Sequence, residues 1–282
     1  MIEVIPVMLH SLIVANNVRA ITGPRATPLE PLNARSIVLS VLLGTHPPQM
    51  PVGRILEFTT LFELADGTVR TALSRMVAAG DLVNDDGIYR LAGRLVERQA
   101  QQDAGRHDPP SQWDDTWWTV AVVSDRRTMA ERREFRNRAI GSRLGELRPD
   151  LWLRPANIAI ATDLPDVVIT RGPLIVGNPR DLVARLWDLG ELQHRSEIHR
   201  TALDSAATRL ETGVDRALAD AFVALAGAQQ FLRVEPQLPT ELAPDLAGAT
   251  LRSRYAEVVA EFQSQLAAFF RRGSARVRTG ER

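Results

Sequence analysis

The sequence of 282 residues contains no cysteine, so it can form neither a disulfide framework nor a thiolate nucleophile. It also lacks any uninterrupted apolar run of the roughly 18 residues that a membrane-spanning helix requires. The start of the chain includes Glu3, Pro6 and Asn16, and no charged segment precedes its apolar stretch as in a secretory signal. These absences predict a cytoplasmic protein with no membrane partner.

Lysine is absent as well, so all 34 basic residues are arginines, and they balance 34 acidic residues to a formal net charge of zero. This balance excludes a protein that binds nucleic acid over its whole surface, but not one in which a single module does so. Arginine keeps its charge and offers a planar fork to phosphates. The length allows two or three domains, and a hydrophobic fraction of 45% is typical of globular proteins.

Residues 61–91 (LFELADGTVRTALSRMVAAGDLVNDDGIYRL) have the most informative pattern. Asp66 is expected to cap the start of a helix, and Gly80 to close it in a left-handed conformation. Four apolar residues recur at helical spacing and are expected to face a core: Val69, Ala72, Leu73 and Met76. The opposite face has no acidic residue and carries Thr68, Arg70, Thr71, Ser74 and Arg75. Asp86-Gly87, between two apolar runs, predicts a tight hairpin.

The flanks complete a larger unit. Residues 36–43 (SIVLSVLL) predict a short apolar helix, GTHPPQMP predicts a turn, and Pro51 is expected at the first position of a second helix, VGRILEFTTLFEL. Helix, helix, capped helix and hairpin in about sixty residues is the order of a winged helix-turn-helix, which lays one helix in the DNA major groove.

The polar face of the third helix is therefore expected to contact DNA. Arg70 and Arg75 are the candidates for base edges or phosphates, whereas the hydroxyl groups are expected to position the helix. Tyr89 and Arg90 in the hairpin are further DNA-binding candidates, although strand alternation turns one of them inward and the sequence does not say which.

The rest of the sequence follows a linker, GRHDPPSQ. A β-rich run at residues 117–123, a long charged helix (TMAERREFRNRAIGSRLGEL), two strand candidates (LWLRPANIAI and DVVITRGPLIV) and a helix (PRDLVARLWDLGEL) form most of a ferredoxin-like unit. The remainder is mostly helical, with a proline-rich loop. The predicted fold is α+β and multidomain: an N-terminal extension (1–32), a winged helix-turn-helix (33–104), a ferredoxin-like α/β domain (105–188) and a helical C-terminal domain for effector binding and dimerisation (189–282).

Several segments, in this order, resemble the phenylacetic-acid-degradation repressor (PaaX-like) family of transcriptional regulators: NARSIVLSVLLG, GTVRTALSRMVAAGDL, WDDTWW, LWLRPANI, RDLVARLWDL and FLRVEPQLPTELAP. The resemblance implies a homodimer that binds palindromic double-stranded DNA. It also implies a repressor of a catabolic operon that is released by an acyl-CoA effector, phenylacetyl-CoA in phenylacetate catabolism. It implies no enzymatic activity, no other cofactor and no metal. Arg154 and Arg171 are either candidates for coenzyme A phosphates or surface charges, so no ligand residue is assigned.

One enzymatic alternative uses Asp125, which follows a strand of the ferredoxin-like unit. Small CRISPR-associated nucleases with that fold have a metal-binding aspartate in a similar place. Metal-assisted cleavage of phosphodiesters requires carboxylates that gather one or two cations. Asp125 is followed by Arg126-Arg127, and only one such aspartate is apparent, so a turn residue at a strand end is the preferred interpretation.

Overall fold

The computed structural model describes residues 33–279 except 44, 46, 94, 97–98, 100–112, 125–126, 214–215 and 247, and no side chain of 249 or 273–279. The predicted N-terminal extension, most of the predicted linker and Asp125 lie outside the described residues. Eight helices and two antiparallel sheets make up the described part, which confirms an α+β protein. No helix among these residues is long and apolar enough to cross a membrane.

The chain divides into two compact units. The first contains Met1–Arg106, His199–Gln230 and Arg252–Arg282, and the second contains His107–Ile198 and Phe231–Leu251. Three C-terminal helices contribute residues to both units, and the division into four domains stays a prediction.

The first unit begins with three helices and a small sheet. Their bounds are α1 Ala34–Leu43, β1 Gln49–Pro51, α2 Val52–Thr60, α3 Asp66–Ala78, β2 Leu82–Asp85 and β3 Ile88–Leu91. The sheet is antiparallel, with the strand order β1-β3-β2. Its core is formed by side chains with almost no exposure, which include Ile37, Leu42, Ile55, Phe58, Leu73 and Met76.

The predicted turn GTHPPQMP contains an unpredicted strand. Gln49–Pro51 pairs with β3, where Met50 lies opposite Tyr89. Pro51 therefore ends a strand and caps α2 with φ −61° and ψ 142°, instead of occupying the first helical position. Helix α2 ends at Thr60, four residues before the end of the predicted helical segment. A three-residue strand has too little periodicity to be found without its partner.

The hairpin is confirmed. Asp86 and Gly87 have φ angles of +48° and +81°, as a two-residue turn between right-twisted strands requires. The backbone N–H of Gly87 donates to Asn84 Oδ1 at 3.1 Å, which supports the turn from the side. The strands on either side have only four residues each.

The second unit is built on a four-stranded sheet with the order β5-β6-β4-β7, in which all neighbours are antiparallel. The bounds are β4 Thr116–Val122, α4 Met129–Gly141, β5 Gly145–Arg148, β6 Leu151–Pro155, β7 Val167–Pro173 and α5 Pro179–Leu186. Helix α4 packs on one face, where Phe135 joins Val120 and Trp152. Helix α5 packs on the other, where Val183 joins Trp117.

Two predicted helices of this unit are shorter than expected. The charged helix ends at Gly141, and its last residues form strand β5. The later helix breaks at Trp187, whose backbone is extended with φ −138° and ψ 141°. A Cβ atom on Gly145 would lie 2.7 Å from Leu186 Cβ, so the glycine permits close contact between β5 and the end of α5. No helix joins β6 to β7, and the ferredoxin-like description stays a prediction.

Three long helices complete the chain: α6 Leu189–Thr212, α7 Ala217–Val234 and α8 Gly248–Thr279. Aromatic side chains connect α2 with α7 and α8 within the first unit. Phe222 lies with its ring centroid 5.3 Å from that of Phe58 and 6.3 Å from that of Phe262. Large aromatic groups bury much apolar surface, so this cluster is a main source of stability in the unit.

Arg154 is a structural residue of the second unit rather than a surface charge. Its side chain is fully buried, and it donates to Pro155 O at 3.0 Å, Pro236 O at 3.1 Å and Asn157 Oδ1 at 3.0 Å. These bonds attach the proline-rich segment after α7 to strand β6. Burial lowers the pKa of Arg154 to about 9, with the charge of Arg143 acting in the same direction. Neither of the roles considered for Arg154 from the sequence fits this position.

Candidate nucleic-acid interface

The inner face of helix α3 packs into the core of the first unit. Val69, Leu73 and Met76 have no exposed surface, and Ala72 beside them is half-buried. The helix packs against α1 and α2, whose apolar side chains fill the same core. The predicted apolar face is thus confirmed. Because these residues recur every three or four positions, the opposite face of α3 must point away from the core.

The start of α3 differs from the prediction by one residue. Ala65 is the N-cap, with an extended backbone and no side-chain hydrogen bond, and Asp66 is the first helical residue. A carboxylate in the first turn still stabilises the helix through the helix dipole. Asp66 is the acidic residue of that turn, and no other acidic residue follows within α3.

The end of α3 is closed as the sequence predicts. Gly80 has φ +72°, and its N–H donates to Val77 O at 3.0 Å, while the N–H of Asp81 donates to Met76 O at 2.9 Å. This pair of bonds is the Schellman motif, which requires a left-handed residue directly after the helix. The motif turns the chain into strand β2 immediately, so the position of the hairpin is fixed relative to α3.

An ion pair that the sequence analysis missed holds this turn to α1. The Asp81 carboxylate is buried and accepts a hydrogen bond from Arg35 Nη2 at 2.6 Å. Its backbone carbonyl accepts from the N–H of Ala92 at 2.9 Å. Arg35 and Asp81 lie 46 positions apart in the sequence, and no local pattern indicates that they would meet.

All five predicted DNA-contacting side chains of α3 are exposed: Thr68, Arg70, Thr71, Ser74 and Arg75. The hydroxyl of Thr71 donates to Gly67 O at 2.8 Å within the helix. Its hydrogen is therefore already used, and Thr71 can offer a ligand a lone pair and a methyl group but not a donor. Arg70 and Arg75 remain the strongest donors of this face.

The arginines of residues 33–93 fall into two groups. Arg35, Arg54 and Arg90 each form an ion pair with a carboxylate, at 2.6, 2.7 and 3.0 Å. Arg70 and Arg75 have no ion-pair or hydrogen-bond partner for their side chains among the described residues. The two arginines that the fold leaves available are thus the two on the outer face of α3.

The hairpin is less suited than α3 to bind an anion. Tyr89 is half-buried and faces inward with Leu91, while Arg90 points outward, which answers the question that strand alternation left open. Arg90 is already paired with Asp85, and Asp86 adds a second carboxylate at the tip. These two acidic groups would repel phosphates near the turn.

Apart from Asp125, which lies outside the described residues, the residues considered for other sites do not form one. No group of three or more histidine or acidic side chains within the described residues could hold a metal ion. Arg171 is paired with Asp114 at 2.6 Å and lies over the ring of Trp118. Hydrogen bonds from Thr116, first of all from its hydroxyl, hold the pKa of Asp114 below its ordinary value. A shallow cleft of about 170 Å³ at Arg127 and Asp166 is smaller than the roughly 300–1,000 Å³ typical of small-molecule sites.

Comparison with known proteins gives two positive findings. A family described as "PaaX-like protein" matches residues 33–95, which include α1, α2, α3 and the hairpin. The solved structure of uncharacterized protein Rv0674 from Mycobacterium tuberculosis is similar, with 33% sequence identity and a TM-score of 0.68. The match covers 84% of this chain and 99% of that one. No curated protein matches the sequence.

Proposed function

Because this chain belongs to the PaaX-like protein family, we propose that it is a DNA-binding transcriptional regulator whose N-terminal unit is a winged helix-turn-helix. The order α1, α2, α3, β2, β3 supports this proposal, since the third helix of such a unit enters the major groove. The family is regulatory rather than enzymatic. The metal-dependent nuclease alternative gains no support from the described residues.

A single observation carries the proposal. The outer face of α3 combines two exposed arginines that have no partner among the described residues with three exposed hydroxyl side chains. Arginine can donate two parallel hydrogen bonds to guanine, or one or two to a phosphate. A helix whose outer face only met solvent would gain from several oppositely charged pairs at i and i+4, whereas α3 has one such spacing, Asp66 and Arg70, and no acidic residue after it.

Each residue has a proposed role. Arg70 and Arg75 bind base edges or phosphates, and Thr68 and Ser74 donate to phosphates and position the helix. Thr71 contacts bases through its methyl group or as an acceptor, because its hydroxyl hydrogen bonds to Gly67. Arg90 is a secondary phosphate contact once it leaves Asp85, and Tyr89 supports the hairpin from inside.

The finer features of the regulator are part of the same proposal. A single helix in one groove buries too little surface for specific binding, so we propose a homodimer on a palindromic operator with half-sites about one helical turn apart. We also propose repression of a catabolic operon and release by an acyl-CoA effector such as phenylacetyl-CoA. Sedimentation would reveal the dimer. A melting temperature that rises with added phenylacetyl-CoA would reveal the effector.

The test is DNA binding by variants of α3. Duplex DNA from the region upstream of the chain's own gene would be titrated with the wild type, Arg70→Ala and Arg75→Ala, and binding followed by fluorescence anisotropy. Loss of one base-reading arginine should cost about 1–3 kcal/mol, which is roughly a 5- to 150-fold weaker affinity. Both side chains are exposed, so the stability of the folded protein should stay within about 0.5 kcal/mol of the wild type.

The matched control is Arg185→Ala. Arg185 is an exposed arginine on α5, has no side-chain partner among the described residues, and carries the same charge. Its loss should leave the affinity for this DNA nearly unchanged. If Arg70→Ala and Arg75→Ala bind as tightly as the control, α3 is not the DNA-reading helix and the proposal fails.

A further inference from the structure

A long arginine-rich segment lies outside the winged unit. Residues 126–143 (RRTMAERREFRNRAIGSR) contain seven arginines and two glutamates, in a chain whose formal net charge is zero. Most of this segment forms helix α4. Four of these arginines have partners within the second unit: Arg127 pairs with Asp150, Arg136 with Glu146 and Arg138 with Glu134, and Arg143 donates to Leu232 O. Arg132 and Arg133 have no such partner among the described residues.

Helix α4 separates its charges onto two sides. The carboxylate of Glu131 accepts hydrogen bonds from the backbone and hydroxyl of Thr128 in a capping box, and Glu134 lies 3.8 Å from Arg138. Both acidic residues of the helix are therefore engaged on one side. The other side, here called the arginine flank, follows the spacing i, i+3, i+4, i+7 and consists of Met129, Arg132, Arg133 and Arg136.

Within the arginine flank, one guanidinium is anchored and two are available. Arg136 forms an ion pair with Glu146 and lies over the ring of Trp152, 5.6 Å from its centroid. Arg132 and Arg133 are exposed, and their guanidinium groups have no partner among the described residues. Met129 at the end of the flank is 83% exposed.

Two positive charges of the flank have no counter-charge among the described residues, which favours the binding of an anion. Like charges at i and i+4, such as Arg132 and Arg136, slightly destabilise a helix. Glu146 offsets the charge of Arg136, but no carboxylate pairs with Arg132 or Arg133 among the described residues. Two neighbouring planar guanidinium groups fit adjacent phosphates, because each can donate two parallel hydrogen bonds.

We propose that the arginine flank of α4 binds the phosphate backbone of double-stranded DNA, as a second contact that is separate from α3. The inference rests on the proposed function in one respect, namely that DNA is the polyanion this chain meets. Such a contact reads no sequence and adds affinity that depends on salt, since each neutralised phosphate releases counterions. It explains how a chain of zero net charge gains electrostatic attraction to DNA.

The experiment measures the salt dependence of binding to duplex DNA of random sequence by full-length protein, between about 50 and 200 mM NaCl. Each phosphate contact contributes about 0.9 to the slope of log K against log salt concentration. The variant Arg132→Gln/Arg133→Gln should lower the magnitude of this slope by about 1 to 2. Arg132→Lys/Arg133→Lys keeps both charges and should retain most of the slope.

The control removes the same charge from the opposite face of the same sheet. Arg180 and Arg185 are exposed on α5, which packs on the Trp117 face, whereas α4 packs on the Trp152 face. Arg180→Gln/Arg185→Gln should leave the slope within error of the wild type. An equal decrease in the slope for both double variants would show that only the net charge of the chain matters, and it would overturn the proposal.

Two further outcomes separate this inference from the proposed function. If the Arg132→Gln/Arg133→Gln variant keeps the full slope while Arg75→Ala loses affinity for upstream DNA, the arginine flank is not a DNA contact but α3 still is. If the double variant instead loses binding only to vesicles that contain phosphatidylserine, the flank binds an anionic membrane surface and the proposal is wrong. Loss of slope with unchanged preference for upstream over random DNA supports it.

Discussion

Gly80 and Gly67 lie at the two ends of α3 and should respond in opposite directions to the same substitution. A Cβ atom added at either position would meet no heavy atom within 4 Å, so neither substitution causes a steric clash. The backbone distinguishes them, because Gly80 has φ +72° and Gly67 lies in the first turn of the helix with no positive φ. Gly80→Ala and Gly67→Ala therefore isolate backbone conformation.

The expected magnitudes follow from that difference. A non-glycine residue in the left-handed region loses about 1–2 kcal/mol, and alanine recovers about 0.4–1 kcal/mol by restricting the unfolded chain. Gly80→Ala should thus lower the free energy of unfolding by about 1 kcal/mol. Gly67→Ala meets no such strain and should raise it by about 0.5–1 kcal/mol. Gly80→Asn should lose less than Gly80→Ala, because asparagine tolerates positive φ better.

Urea denaturation would measure the free energy of unfolding of all three variants, with the helical circular dichroism band at 222 nm as the signal. A change in the midpoint at a constant slope reports stability alone. If Gly80→Ala were as stable as the wild type, or if both alanine variants shifted the midpoint in the same direction, the Schellman motif would not be fixing the end of α3. The position of the hairpin would then need another explanation.

Two further predictions concern the second unit. Gly145→Ala should lower the free energy of unfolding by about 1–3 kcal/mol in the same assay, because the new methyl group would lie 2.7 Å from Leu186 Cβ; an unchanged midpoint would contradict this close packing. Hydrogen bonds from the backbone and then the hydroxyl of Thr128 hold the pKa of Glu131 below its ordinary value of 4.5. The lowered pKa adds stability above pH 4.5 that is lost as the pH falls through the folded-state value. The stability advantage of the wild type over Glu131→Gln should therefore be constant near neutral pH and vanish in acid, and an advantage that persists there would refute the capping box as its source.

The elements that could be predicted are those whose determinants are local. The core face of α3 follows from the spacing of Val69, Leu73 and Met76, and its end follows from Gly80. The hairpin follows from Asp86-Gly87. In each case the residues that decide the conformation lie within one or two turns of the element itself, so a single sequence contains enough information.

The features that could not be predicted depend on partners far away in the chain. Strand β1 exists because Met50 pairs with Tyr89, and its three residues have no pattern of their own. The sequence pattern places most of strand β5 in the preceding charged helix, whereas pairing with β6 decides its conformation. The sequence does not predict that Arg154 is buried, because arginine is rarely buried; its burial is tolerable because the carbonyl of Pro236 and other nearby acceptors bind its guanidinium group.

The net charge of zero and the proposed attraction to DNA are compatible because electrostatic interactions are local in salt. At physiological ionic strength the Debye length is about 8 Å, so a phosphate responds to the few charges nearest to it and not to the sum over the chain. Asp85 and Asp86 place negative charge at the tip of the hairpin, whereas α3 beyond Asp66 and the arginine flank of α4 contain none. What matters for DNA is thus which surfaces lack carboxylates. Adding a single glutamate within the outer face of α3 should weaken binding more than adding several to α5.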